Sequence, residues 1–227
     1  MTTLELSADS DVHCPPAAWR ADAYSAAMRT GRGPLFLRRD DGWLLPLEVE
    51  RWCARADATD NDVLSRCPDS VIDIGCGPGR IVAALRGRPH RALGVDLNPA
   101  AVDRTRRRGA EALCASVFDP LPDEGAWSTA LLLDGNIGIG GDPGLLLKRM
   151  AQVLRPKGNL IVEVCPTDVD ERVVVAFTDG RGVTGTAFDW ARVGSRALRR
   201  LASPCGWAPV EDWTHGRRRF VRLASAS

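Results

Sequence analysis

Apolar residues in the middle of the chain fall in short unbroken runs, each followed by a loop and an amphipathic stretch. VIDI at 71–74, ALGVD at 92–96, EALCAS at 111–116, WSTALLLD at 127–134 and NLIVEV at 159–164 are these runs. Near-continuous apolar strands belong to parallel sheets covered on both faces, whereas a half-exposed strand alternates. Helices are predicted between them, over 80–85, from Asn98-Pro99 through 107, and from Asp142-Pro143 through 154. In the last two, the Asn or Asp side chain accepts a free backbone N–H, and proline has none to leave unpaired. Leu146, Met150, Val153 and Leu154 recur at helical spacing before Pro156 and Gly158 close the third helix.

The flanks break this rhythm. Residues 1–13 are polar and aperiodic and read as a tail, and Pro15-Pro16 opens a helix over 17–28 that Gly31 and Gly33 stop. Segments 35–37 and 43–45 surround an Asp40-Asp41-Gly42 turn and predict a hairpin, followed by a helix over 47–54. After the fifth strand, VVVAF (173–177) and VTGTAF (183–188) surround Asp179-Gly180 as a second hairpin, and a helix is expected over 191–201. APVEDW (208–213) and RRFVRLA (218–224) surround Thr214-His215-Gly216, so the chain ends in an antiparallel hairpin. The expected organisation is a tail and substrate-binding lid over 1–69 and a ligand-binding domain over 70–227, forming one structural unit.

Charge and cysteine usage narrow the function classes. Thirty Lys and Arg against 29 Asp and Glu leave a net charge of +1, so the broad basic field of a nucleic-acid protein is missing. Only Lys148 and Lys157 are lysines, a skew towards arginine that reads as codon bias in a GC-rich genome. Seven widely spaced cysteines form neither a C-x-x-C pair nor a Cys/His cluster, which argues for a reducing cytoplasm and against a disulfide framework or metal site. No basic-then-apolar leader opens the chain, and no run approaches the ~20 apolar residues of a membrane helix.

The most informative segment is Asp73-Ile74-Gly75-Cys76-Gly77-Pro78-Gly79-Arg80, between a strand and a helix. Three glycines in five residues let the backbone turn tightly and approach a ligand closely, as nucleotide-type ligands require. The spacing is G-x-G-x-G, not the dinucleotide G-x-G-x-x-G, and an acid precedes it. A carboxylate is awkward beside a pyrophosphate and suits an ammonium group. Asp96 ends the second strand, 23 residues after Asp73, where an acid accepts from ribose hydroxyls; a nicotinamide enzyme also carries one there.

In these features the chain resembles the class I S-adenosylmethionine-dependent methyltransferase family, whose first motif reads D/E-x-G-x-G-x-G. The likeness runs over about 70–165 and includes Ser116-Val117-Phe118-Asp119-Pro120-Leu121-Pro122 and the L-R-P-K-G run at 154–158. It implies a Rossmann-like, doubly wound, mostly parallel seven-stranded α/β sheet with an antiparallel C-terminal hairpin and an N-terminal helical lid. It also implies S-adenosylmethionine as cofactor. Asp73, Gly75, Gly77 and Gly79 would hold the amino-acid end, Asp96 with Leu97 the ribose, and Ser116 and Val117 the adenine. Serine stands at 116 where the family usually has an acid, which leaves adenine recognition to a hydroxyl, a backbone N–H and apolar packing. A backbone carbonyl of Leu133 or Asp134 would take an ammonium hydrogen.

Methyl transfer to an activated sulfonium needs alignment more than a base. Asp134 and Asn136, at the end of the fourth strand, and His215, at the tip of the last hairpin, are the candidate catalytic groups; turn chemistry explains the first two equally, and a histidine placed like His215 is more often a solvated turn residue. His13 and His90 fall in the tail and at the wrong strand end. The LDGN run at 133–136 is not the N/D-P-P-Y/F of base N-methyltransferases. An apolar pocket for a small molecule is expected from Trp19, Tyr24, Phe36, Trp43 and Trp190, with Arg29 or Arg32 for an acidic group. The runs Arg104, Arg106–Arg108 and Arg217–Arg219 read as solvated faces. A small-molecule acceptor is the leading reading; an RNA or protein acceptor, or a non-methylating nucleotide-binding module, remain alternatives.

Overall fold

A computed structural model describes residues 22–89, 91–182 and 184–225. The expected tail, the helix start at Pro15-Pro16, and Trp19, His13 and His90 lie outside the described residues. The chain opens with α1 (Ala23–Thr30), β1 (Phe36–Arg38), β2 (Leu44–Pro46), α2 (Val49–Cys53) and α3 (Ala58–Ser65). Next come β3 (Val71–Ile74), α4 (Arg80–Ala84), β4 (Ala92–Asp96), α5 (Pro99–Arg107), β5 (Ala112–Cys114) and β6 (Trp127–Leu132). The remainder is α6 (Pro143–Val153), β7 (Leu154–Val164), β8 (Asp170–Thr178), β9 (Phe188–Val193), α7 (Ser195–Ala202), β10 (Trp207–His215) and β11 (Arg218–Ser225).

The central sheet runs β10-β11-β7-β6-β3-β4-β5. Strands β3 to β7 are mutually parallel and β11 is antiparallel to both its neighbours, as the terminal hairpin predicts. All six residues of β6 and all four of β3 are buried, the signature of a sheet covered on both faces. Ile72, Ile74 and Leu132 pack with Leu146 and Met150 of α6 and Leu198 of α7. Val71, Leu131 and Ile161 face the other way, onto Val63 and Leu64 of α3 and Ile81 of α4. Chain direction reverses its order between β3 and β6, and the strand ends there open a crevice.

A second sheet, β2-β1-β8-β9, joins two segments distant in sequence. Register pairs Leu37 with Phe177, Val175 with Phe188 and Val173 with Trp190, so alternation sets Leu37, Val175, Phe177, Phe188 and Trp190 on one face. The lid is therefore not N-terminal alone: half of its sheet enters between β7 and β10.

Local chemistry explains where the elements depart from the sequence reading. Asp22 accepts from Ser25 N at 2.8 Å and starts α1, which Gly31 ends at φ 74°. The polar helix α3 has no apolar period to announce it and is held by reciprocal Asp57 and Asp60 capping. Strand β7 begins at Leu154, where a helix end was expected, because Leu154 pairs with Trp127 across an irregularity before the regular ladder. Residues 191–193 continue β9 and do not start the helix. The predicted 173–188 hairpin is displaced, with β8 pairing to 188–193 instead. Among the described residues no helix is long and apolar enough to cross a membrane.

Candidate functional site

The loop after β3 is shaped by glycines that cannot be replaced. Gly75 has φ 71°, and a Cβ there would lie 2.5 Å from Asn136 Nδ2. Gly79 has φ 78° as it enters α4, where a Cβ would meet Thr105 at 2.5 Å. Just before this loop lies Asp73, 3% exposed, whose carboxylate makes no hydrogen bond among the described residues. Burial pushes its pKa up to about 8, against the pull of the Arg80 guanidinium.

Asp96, at the end of β4, is held differently. Its carboxylate accepts from Gly77 N at 2.9 Å and Asn98 N at 2.8 Å. Burial raises its pKa to about 6, opposed by those two backbone donors. The Tyr24 hydroxyl approaches Oδ2 at 3.5 Å from α1. Burial, then the Asp96 charge, raise the Tyr24 pKa well above its ordinary value, so it stays a neutral phenol.

Beside the loop lies a cluster of alternating charges. Asp60 of α3 is fully buried between Arg80, to which it is closely paired, and Arg218, whose Nη1 donates to it at 2.7 Å. Arg218 Nε and Nη2 also donate to both oxygens of Glu163, at 2.8 and 2.6 Å. Burial alone would lower the Arg218 pKa; Glu163, Asp134 and Asp60 outweigh it and raise it. Asp134, at φ 56°, accepts from Arg51 Nη2 at 2.6 Å on one oxygen and from Arg80 Nη2 at 2.7 Å on the other. Its backbone N–H donates to Glu163 Oε2 at 2.7 Å. Three acids thus interleave with three arginines, drawn from α2, α3, α4, β7, β11 and the loop after β6.

These parts surround a cavity of about 360 Å³ beyond the carboxyl ends of β3, β4 and β6. Asp73, Gly75, Gly77, Asp96, Leu97, Ser116, Val117, Leu133, Asp134 and Asn136 all line it. Gly79 does not; it shapes the turn from behind. The Asn136 amide is occupied, donating to Ile74 O at 2.8 Å and Gly75 O at 3.0 Å. The Ser116 hydroxyl accepts from Phe118 N at 3.1 Å. His215 is not brought to the cavity: its Nδ1 lies 2.9 Å from Thr59 Oγ1 on the far side of the cluster.

The opposite wall comes from the lid. Tyr24, Leu37, Trp52, Phe177, Phe188 and Trp190 line it. Of the expected pocket residues, Tyr24 and Trp190 are therefore present. Phe36 lies on the outer face of its strand, and Trp43 carries Arg192 5.2 Å from its ring centre. Arg29 and Arg32 do not reach the cavity. Sequence reasoning missed Asp60, Arg80, Glu163 and Arg218. Arg80 closes the glycine-loop segment, and Glu163 is the one charged residue of the NLIVEV run at 159–164, which are the traces the sequence offered.

Strand order, glycine loop and acids at the ends of β3 and β4 together define a Rossmann-like nucleotide-binding fold of the methyltransferase type. Residues 71–158 match the family described as methyltransferase domain. A probable cobalt-precorrin-6B C(15)-methyltransferase (decarboxylating) of Methanobrevibacter smithii is 26% identical over 104 residues, covering 44% of this chain; the match spans only 56% of that relative. An S-adenosylmethionine-dependent methyltransferase from Bacteroides fragilis, solved with S-adenosyl-L-homocysteine, superposes with a TM-score of 0.78 at 20% identity, covering 94% of this chain and 98% of that one. The 1,6-didemethyltoxoflavin-N1-methyltransferase of Burkholderia thailandensis, solved with 1,6-didemethyltoxoflavin and S-adenosylhomocysteine, gives 0.54 at 21% identity, covering 75% and 76%. The methyltransferase-domain match thus falls on the nucleotide-binding core, residues 71–158, and the likeness to the solved S-adenosylhomocysteine-bound methyltransferases is one of fold.

Proposed function

We propose that the protein transfers the methyl group of S-adenosylmethionine to a small-molecule acceptor. The observation that carries this reading is a cavity with two unlike walls, an acid-and-glycine wall from the core and an aromatic wall from the lid. At about 360 Å³ the cavity lies near the lower end of the roughly 300–1,000 Å³ of small-molecule sites.

The core wall fits the cofactor. Asp73, buried without a protein donor, accepts from the ammonium group, and that positive charge restores its ionised form. Asp96 accepts from the ribose hydroxyls, already oriented by Gly77 and Asn98. Leu97, Ser116 and Val117 would bound the adenine, and Leu133, whose carbonyl accepts from Asn136 N at 3.0 Å, lines the cavity beside Asp134. When bound, the cofactor supplies an activated methyl group on sulfur. The protein contributes alignment and exclusion of water.

Asp134 positions rather than deprotonates. Both its oxygens are held by arginines, and the Asn136 amide is held by backbone carbonyls. Residues 1–69, together with the β8–β9 hairpin, form the acceptor-selecting part. Seven widely spaced cysteines without a C-x-x-C pair suit a cytoplasmic setting.

Calorimetry with S-adenosylhomocysteine, with NAD as control, tests the reading, followed by an acceptor panel read by S-adenosylhomocysteine release. Binding of NAD without S-adenosylhomocysteine would refute it. Turnover on RNA with affinity that collapses at higher salt would replace the small acceptor with a polyanion.

A further inference from the structure

Within the methyltransferase reading, the lid wall carries information about the acceptor itself. Its rings form a continuous series: Tyr24 stacks on Phe177 with centroids 4.9 Å apart, Phe177 lies 5.0 Å from Phe188, and Phe188 meets Trp190 edge-on at 6.2 Å. Strand alternation and register explain why three of them share one face. Phe118, 38% exposed, lines the cavity from the core side. Aromatic walls of this kind favour flat aromatic guests, since offset and edge-to-face contacts add to plain apolar burial.

Charge restricts the guest further. Among the described residues Arg80 is the one cation lining the cavity, and it is paired with Asp60 and Asp134. Four aspartates line the same space. An acidic acceptor would therefore meet carboxylates and no free cation. Nor does a general base stand beside the rings. Asp134 and Asn136 are occupied, Asp73 and Asp96 belong to the cofactor wall, and Asp189, exposed on β9, alternates to the face opposite Phe188 and Trp190. Tyr24 stays protonated and His215 lies elsewhere.

We propose that the acceptor is a planar, non-acidic heteroaromatic molecule methylated on a nitrogen that is nucleophilic as it stands, seated against Phe177, Phe188 and Trp190. The nitrogen lone pair forms the N–C bond, while the C–S bond breaks with its electron pair to sulfur. On a pyridine-type nitrogen no proton leaves, and the positive charge passes from sulfonium to the ring. The acids around the cavity favour that cationic product.

The test uses protein saturated with S-adenosylhomocysteine, titrated calorimetrically with three probes of similar size: quinoline, 1-decalone and quinoline-2-carboxylate. Quinoline is expected to bind most tightly, with the saturated ketone and the anion each about tenfold weaker. Phe177→Leu and Phe188→Leu, which keep apolar bulk and remove the ring, are expected to weaken quinoline about fivefold. Affinity for S-adenosylhomocysteine in these variants should stay within about twofold, which reports that the fold and cofactor wall persist. Equal or tighter binding of 1-decalone or the carboxylate overturns the proposal, as does quinoline affinity indifferent to both ring removals. Failure of the unsubstituted protein to bind S-adenosylhomocysteine at all would instead bring down the methyltransferase reading, and the acceptor class with it.

Discussion

Two carboxylates a strand apart are buried alike and tuned apart. Asp96 has two backbone donors and is raised only to about 6, whereas Asp73 has none and reaches about 8. An acid raised in the folded state binds a proton that the unfolded chain has already released. The sign follows: the stability Asp73 contributes is complete below its unfolded pKa of about 4 and is lost as pH rises to about 8. The thermal midpoint of cofactor-free protein should fall across this window, and Asp73→Asn should flatten the fall. Affinity for S-adenosylhomocysteine should move oppositely, tightening from pH 6 to pH 8 as Asp73 ionises to meet the ammonium group. In Asp73→Asn, calorimetry over the same range should show weak binding with little slope. Asp96→Ala removes the ribose acceptor, and a loss of about 10- to 100-fold in affinity is expected with circular dichroism unchanged.

Between elements, the charge cluster is the joint that fixes strand ends to helices. Arg218 reaches from β11 to Asp60 of α3 and Glu163 of β7, so truncating it leaves Glu163 without its cation and Asp60 with Arg80 alone. Breaking a buried pair costs about 3–5 kcal/mol, and Arg218→Met should lower the thermal midpoint by roughly 6–15 °C in a chain of this size. Retention of the midpoint would show that the cluster is incidental to stability.

Legibility in the sequence divides along the same line. The strand–helix alternation, the caps at Asn98 and Asp142 and the acid-led glycine loop are signals within a few residues of one another, and each appears where its local pattern predicts. Asp60 meets Arg218 across 158 positions, and Arg51 meets Asp134 across 83, so no window of sequence contains either pair. The polar face of α3 hides its burial, and the pairing of β1 with β8 is a tertiary event that strand propensity does not encode.

For the whole molecule, ligand and stability are coupled because the cavity joins the two sheets. A ligand at 100 times its Kd adds about 2.7 kcal/mol, so saturating S-adenosylhomocysteine should raise the thermal midpoint by roughly 5–10 °C, read by calorimetric or fluorescence melting. An uncharged acceptor releases no counterions on binding, so its affinity should be insensitive to salt.

The lid sheet draws its strands from two places, and only the β8–β9 hairpin interrupts the nucleotide-binding core. That hairpin enters after β7 and leaves before α7, both anchored in the main core, and it contributes Phe177, Phe188 and Trp190 without supplying any acid of the cofactor wall. It behaves as a cassette. Exchanging residues 166–193 for the equivalent stretch of a relative would recode which molecule is methylated while inheriting the cofactor chemistry intact, a graft with two splice points and one function to transplant.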